Sequence, residues 1–327
     1  MKSRRKPTAP RADTNPSSRH VVYAALVGNL LVAATKAIAA ALTGSSAMLS
    51  EAVHSVVDSV NEILLLYGQR QAARRADTEH PFGHGRELYF WSFIVALLIF
   101  AVGAGVSVYQ GIAHIRSPEP IRSPHISYVV LALAFVFEGA SWLVSLRQFR
   151  AAKGHLDLYE GFRSSKDPPS FLVLFEDSAA LIGIVLAALG TFAATTLEMP
   201  VADGTASVLI GLVLGSIAVL LARESKSLLI GEAASPAFVE SVLRIASEVD
   251  AVVRANGVLT AHMAPDQVVV ALSVEFKDDL KVPDVEDAIL EIEKRVREAH
   301  PEVIALFVKP QTPRAFRDAA RKRFGDD

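Results

Sequence analysis

The chain has no cysteine, which excludes disulfides and every metal site built on thiolates. It has no strong charge of either sign. A formal net charge of −2 lacks the basic excess on which nucleic-acid binding depends, so no nucleic-acid partner is expected. There is also no His-Glu-x-x-His run, the helical pattern with which a zinc hydrolase holds its metal and its base. That argues for a role other than enzyme catalysis. Charge is nearly missing from whole blocks of about 20 residues, the length that crosses a bilayer as a helix. The chain is 51% hydrophobic, and six such blocks predict spans at Val21–Leu42, Ser46–Tyr67, Leu88–Ala113, Ile126–Leu146, Phe171–Ala194 and Ala206–Ala222. The first is full length and runs straight into the second, so no cleaved leader is expected.

Lysine and arginine in the connecting segments set the orientation. The N-terminal tail carries Lys2, Arg4, Arg5, Lys6, Arg11 and Arg19; the loop after the second span has Arg70, Arg74, Arg75 and Arg86; the loop after the fourth has Arg147, Arg150, Lys153, Arg163 and Lys166. The opposite loops hold only Arg116 and Arg122. Both termini are therefore expected in the cytoplasm, with the protein in the cell membrane or on the equivalent side of an organelle membrane. The expected organisation is a disordered basic tail at 1–20, a membrane domain at 21–232, a soluble domain at 233–312 and a C-terminal tail at 313–327.

Ionisable groups deep in lipid cost roughly 2.5 kcal/mol or more unless they face a polar cavity or a partner, so they mark function by default. His54 and Asp58 lie four residues apart in the second span, on one helix face and about 6 Å apart along the axis. An imidazole nitrogen and a carboxylate oxygen so placed suit a divalent transition metal such as zinc; the alternative is a hydrogen bond between helices. Glu51, Asn61 and Glu62 extend the same stripe, while Val53, Val56, Val57, Val60, Ile63 and Leu64 cover the rest. Such a stripe reads as the wall of an aqueous path. Lys36 is the one charge within the first span. It is expected to pair with an acid on a neighbouring helix.

A second constellation follows in the loop Ala76-Asp77-Thr78-Glu79-His80-Pro81-Phe82-Gly83-His84-Gly85-Arg86. Asp77, His80 and His84 offer one carboxylate and two imidazoles, and the glycines let the backbone fold them toward one point. This loop, the stretch Gly44-Ser45-Ser46-Ala47-Met48-Leu49-Ser50-Glu51-Ala52-Val53-His54-Ser55-Val56-Val57-Asp58, six spans with both ends inside and the order of elements in the tail together resemble the cation diffusion facilitator family. The resemblance covers nearly all of the chain after about residue 20. It implies a homodimeric antiporter that expels zinc or a related divalent cation in exchange for protons. His54 and Asp58 then match half of a tetrahedral transport site, and Asp77, His80 and His84 match the family's loop site. The ion is substrate, and no cofactor is expected.

The other half of the family's transport site is a second four-residue pair on the fifth helix. Here Asp177 fits the acidic position, but one turn earlier stands Val173, which cannot bind metal. The Glu176-Asp177-Ser178-Ala179-Ala180 run is similar to the branch of the family named for zinc transporter nine. Two acids are candidates for the vacant ligand position. Glu176 points about 100° away from Asp177 around the helix. Glu138, near the middle of the fourth span, is followed by small residues that allow close helix approach, and it is the preferred ligand or proton carrier. Manganese, cobalt or iron(II) as the cation, and a transport-incompetent metal-responsive scaffold, remain as alternatives.

From Ser235 the pattern is that of a soluble domain, with a helix at Pro236–Val249, strands at Val252–His262 and Gln267–Phe276, a charged amphipathic helix at Pro283–His300 and a strand at Val303–Val308. The order αββαβ predicts a two-layer, ferredoxin-like domain with its helices on one face of the sheet. Its small size favours pairing with a second copy. Its histidines are His262 and His300, and Asn256, Ser273 and Val308 stand where the resemblance would place ligands, so no regulatory zinc site is expected there.

Overall fold

The computed structural model describes residues 16–153 and 168–324. Most of the basic tail expected at 1–20, and Arg163 and Lys166 of the fourth-span loop, lie outside the described residues. Six long helical segments are followed by a mixed α/β unit. They are α1 (Pro16–Thr43), α2 (Ser46–Ala72), α3 (Glu87–Leu98) running through a π-helical stretch (Ile99–Ala104) into α4 (Gly105–Arg116), α5 (Pro124–Lys153), α6 (Pro168–Thr196) and α7 (Val201–Ile230). Among the described residues, five segments are long and apolar enough to cross a membrane: Leu26–Thr43, Glu87–Arg116, Pro124–Ala151, Phe171–Thr196 and Val201–Ile230. The helix α2 is long enough but not apolar enough, because Glu51, Asp58 and Glu62 interrupt it. The six-span expectation thus holds by composition for five.

Chain contacts divide into two units, residues 1–62, 102–137 and 182–212, and residues 63–101, 138–181 and 213–327. In the first unit, bare backbone sets how closely the helices approach. A Cβ placed on Gly111 would collide with the Gly204 carbonyl and Val208, and one on Gly211 would collide with Val108, so α4 and α7 meet where a glycine of one admits the backbone or a valine of the other. Ser207 ties α7 to both α4 and α2. Ser207 donates to the Ser107 carbonyl at 2.8 Å, and its hydroxyl lies 2.6 Å from that of Ser50 on α2.

The start of α2 is held by a residue 157 positions away. The first N–H groups of a helix have no partner within it, and the buried Asp203 carboxylate of α7 accepts from Ser46 N at 2.5 Å and from Ser45 Oγ at 2.6 Å. An anion at a helix N-terminus also meets the positive end of the helix dipole. His114 Nε2 of α4 lies 3.7 Å from the same carboxylate.

In the second unit, α2 ends against α3, where Gly68 leaves room for Trp91 and the Tyr67 and Trp91 rings meet edge to face at 4.9 Å. The α/β portion contains α8 (Pro236–Ser247), β1 (Val252–Ala264), β2 (Gln267–Phe276), α9 (Val282–Ala299), β3 (Val303–Pro310) and α10 (Pro313–Phe324). Ser235 caps α8, its hydroxyl accepting from Phe238 N, and Pro236 opens the helix. The sheet has the order β1-β2-β3, with β1 and β2 antiparallel and β2 and β3 parallel through the α9 crossover.

Alternate residues Val268, Val270, Leu272 and Val274 of β2 share one sheet face. They form a core with Phe238, Val242 and Ala246 of α8 and Ala288, Ile292 and Val296 of α9. Residues 313–327, expected as a tail, include the helix α10. It is seated by Phe316, whose ring occupies the space a Cβ on Gly257 would fill.

Candidate metal centre

In α2 the usual amphipathic arrangement is turned inside out. Glu51 and Asn61 are fully buried and His54 is 1% exposed, whereas Val56, Val60 and Ile63 are 42–49% exposed. A helix in water would hide the valines; one in lipid presents them and turns its polar side inward. His54 Nδ1 lies 3.3 Å from Asp58 Oδ1. Neither ring nitrogen of His54 makes a hydrogen bond among the described residues. A buried imidazole in that condition is costly unless something else takes its lone pair, and a divalent cation is the partner that suits a neighbouring carboxylate.

Two further contacts arrange this stripe. Lys36 Nζ of α1 is 3.1 Å from Glu51 Oε2, with both side chains at 0% exposure, as expected of a lysine at that depth. Asn29 Nδ2 donates to Glu62 Oε2 at 3.0 Å.

On α6, Asp177 is 9% exposed and accepts from two serines of α5, Ser141 at 3.0 Å and Ser145 at 3.1 Å. Trp142 donates to Ser178 at 2.9 Å beside them. Small hydroxyls in an apolar helix give little signal, so sequence reasoning missed Ser141 and Ser145. Their spacing of four, with Glu138 one turn before Ser141, was the trace they left. Glu138 is half-buried and close enough for its charge to act on Asp177. Glu176 is likewise half-buried. Val173 is 38% exposed.

The loop brings its three candidate ligands together. Asp77, His80 and His84 each offer an atom within 4.8 Å of the others. Asp77 Oδ1 accepts from His80 N at 2.7 Å and Glu79 N at 3.0 Å, closing a turn on its own backbone. Gly83, at φ +85°, reverses the chain so that His84 returns. His80 Nδ1 and His84 Nε2 then lie 3.3 Å and 3.5 Å from the Asp77 carboxylate, and the two rings are 4.3 Å apart. The backbone bond from His80, joined by that from Glu79, holds the Asp77 carboxyl below the usual carboxylate range. It therefore stays anionic for a cation. His84 is buried while Asp77 and His80 are open to solvent.

The loop packs on the α/β portion, where a Cβ on Gly85 would strike Met263, Ala264 and Gln267, and Phe82 meets Phe307 edge to face. In that portion the remaining polar candidates have protein partners. Asn256 Nδ2 donates to the Gln311 carbonyl at 2.7 Å, and Ser273 donates to Gln311 Oε1 at 3.1 Å. His300 Nε2 is 2.9 Å from Ser241 Oγ, and His262 Nδ1 lies 3.3 Å from the Ala264 carbonyl.

Residues 22–230 match the cation efflux transmembrane domain. The mitochondrial proton-coupled zinc antiporter SLC30A9 of Xenopus laevis is 35% identical over 259 residues, 78% of this chain and 46% of that protein. Its Homo sapiens counterpart is 33% identical over 69% of this chain and 40% of its own length. Metal tolerance protein C4 of Arabidopsis thaliana is 32% identical over 69% of this chain and 50% of its own. The chain thus spans no more than about half the length of these relatives. With five membrane-length helices among the described residues and a family model covering most of the chain, this multi-pass membrane protein belongs to the cation efflux family.

Proposed function

We propose that the protein is a proton-coupled exporter of divalent cations, with zinc as the ion. The observation that carries this reading is the buried His54–Asp58 pair on a helix whose polar side faces inward, with a histidine whose ring nitrogens lack hydrogen bonds among the described residues. Asp177 supplies a further anionic ligand, as in the transport site that the family resemblance implies. Glu138 is the preferred fourth ligand or proton carrier over Glu176, supported by its electrostatic proximity to Asp177. Metal ligands must be deprotonated to bind. Zinc entering from the cytoplasm displaces protons from His54 and the acids, and protons arriving from the far side displace zinc.

The relatives' printed names, a proton-coupled zinc antiporter and a metal tolerance protein, support this choice of ion and counter-ion. Asp77, His80 and His84 form an assisting cytoplasmic site that captures the ion. In this reading α2 is the sixth span, its polar side shielded from lipid, and both termini face the cytoplasm. The α/β portion is a ferredoxin-like domain through which two copies pair, and it holds no zinc of its own. The membrane is the cell membrane, or an organelle membrane such as that of the mitochondrial relatives.

The experiment is ion flux in proteoliposomes with zinc, manganese, cobalt and iron(II) in parallel. Zinc should be carried best. Equal or better flux with manganese would assign the site to harder cations.

A further inference from the structure

The Lys36–Glu51 pair is not explained by ion binding, yet it sits beside the proposed site. Glu51 precedes His54 by three residues, so its side chain lies about 4.5 Å further along the axis and on the same side of α2. Its carboxylate meets the Lys36 ammonium at 3.1 Å with both groups fully buried. The other carboxylate oxygen lies against Gly183 of α6, where any Cβ would collide with it. The acid is therefore gripped between a fixed cation and bare backbone. The Lys36 charge is also close enough to act on His54.

A lone lysine at this depth would repel a divalent ion one helical turn away, and a lone glutamate would offer that ion an extra oxygen ligand. As a pair they do neither. We propose that Lys36 and Glu51 form a resident, charge-compensated pair that sets the charge and ligand number of the transport site, with Glu51 as the counter-ion of Lys36 and not a ligand of the transported metal. Lys36 thereby acts as a specificity-determining residue. It withholds a carboxylate that would otherwise bias the site toward oxygen-preferring cations such as manganese. This inference rests on the assignment of His54 and Asp58 as ion ligands.

A double-mutant cycle on the full-length protein in proteoliposomes tests it, reading the zinc concentration for half-maximal flux. Glu51→Gln removes the carboxylate that meets Lys36 at 3.1 Å and should weaken zinc by about tenfold or more, whereas Lys36→Met/Glu51→Gln removes both charges and should return to within about threefold of wild type, since a buried pair costs far more to break than to replace. Lys36→Met alone should shift the manganese-to-zinc preference toward manganese by about tenfold, by freeing an oxygen ligand. If Glu51 were itself a ligand, the double variant would be as impaired as Glu51→Gln, and the proposal would be overturned. Should Glu51→Gln fail to fold, the double variant against wild type still decides, because only the ligand alternative predicts weak zinc there. Asp58→Asn in the same series reports on the underlying site assignment. Normal zinc flux in that variant would remove the ion from α2 altogether, an outcome distinct from a failed cycle.

Discussion

Replacing Asp203 by alanine should loosen the start of α2 and, with it, the depth at which His54 and Asp58 are held. The Asp203 carboxylate is fully buried and takes two short bonds, from Ser45 Oγ at 2.6 Å and Ser46 N at 2.5 Å. Hydrogen bonds to a charged group contribute about 1.5–3 kcal/mol each, and their loss leaves buried donors without an acceptor. Losing both should cost about 3–5 kcal/mol, with the weaker contact to Ala47 N at 3.4 Å adding little. At about 2–4 °C per kcal/mol for a domain of this size, the melting temperature of the purified protein should fall by about 10 °C. Asp203→Asn keeps one acceptor oxygen but no charge, and should fall by about half as much. Both are read by thermal unfolding in detergent micelles. A melting temperature for Asp203→Ala within about 3 °C of wild type would refute the idea that α7 anchors α2.

Three other expectations follow from the geometry. Gly183→Ala should displace the Glu51 carboxylate, which occupies the position its Cβ needs, and so reduce both thermal stability and zinc flux; retention of both would show that α6 yields at that point. Asp77 has a lowered folded pKa, so the order its carboxylate gives the loop is present above the unfolded value of about 3.9 and lost as pH falls through the lowered one. Protection of the Glu79 and His80 amides, taken relative to their unstructured exchange rate at each pH, should therefore persist at about pH 5 and fall only in stronger acid, and its loss already at pH 5 would contradict the turn. Phe316→Ala should detach α10 from Gly257 and destabilise the sheet by about 1–3 kcal/mol, measurable as faster exchange of β1 amides.

The parts of this molecule that sequence made legible are those in which chemistry conflicts with surroundings. His54 and Asp58 stand out because ionisable groups in a membrane-length helix are costly without a partner or a polar cavity, and Asp77, His80 and His84 because their spacing and glycines predict a turn. The strand Gln267–Phe276 was legible to the residue, since its alternation meets clear turn signals at both ends. Contacts made by ordinary residues at long range were not. Asp203 reads as a helix-start acid, and nothing local reveals that it serves the N-terminus of another helix 157 residues earlier. Ser141 and Ser145 are small residues of a kind that usually serves packing. The helix α10 was hidden by its density of charge, and its register becomes apparent only when Phe316 is seen over Gly257.

The central claim is that zinc crosses the membrane at His54, Asp58 and Asp177 in exchange for protons. It is tested most directly by recording zinc uptake and internal pH together in proteoliposomes of the wild-type, Asp58→Ala and Asp177→Ala proteins. Zinc entry should drive proton movement in the opposite direction in the wild type, and both movements should vanish in each variant while the protein remains folded. Undiminished zinc flux in either variant, or wild-type flux without a change in internal pH, would contradict the account.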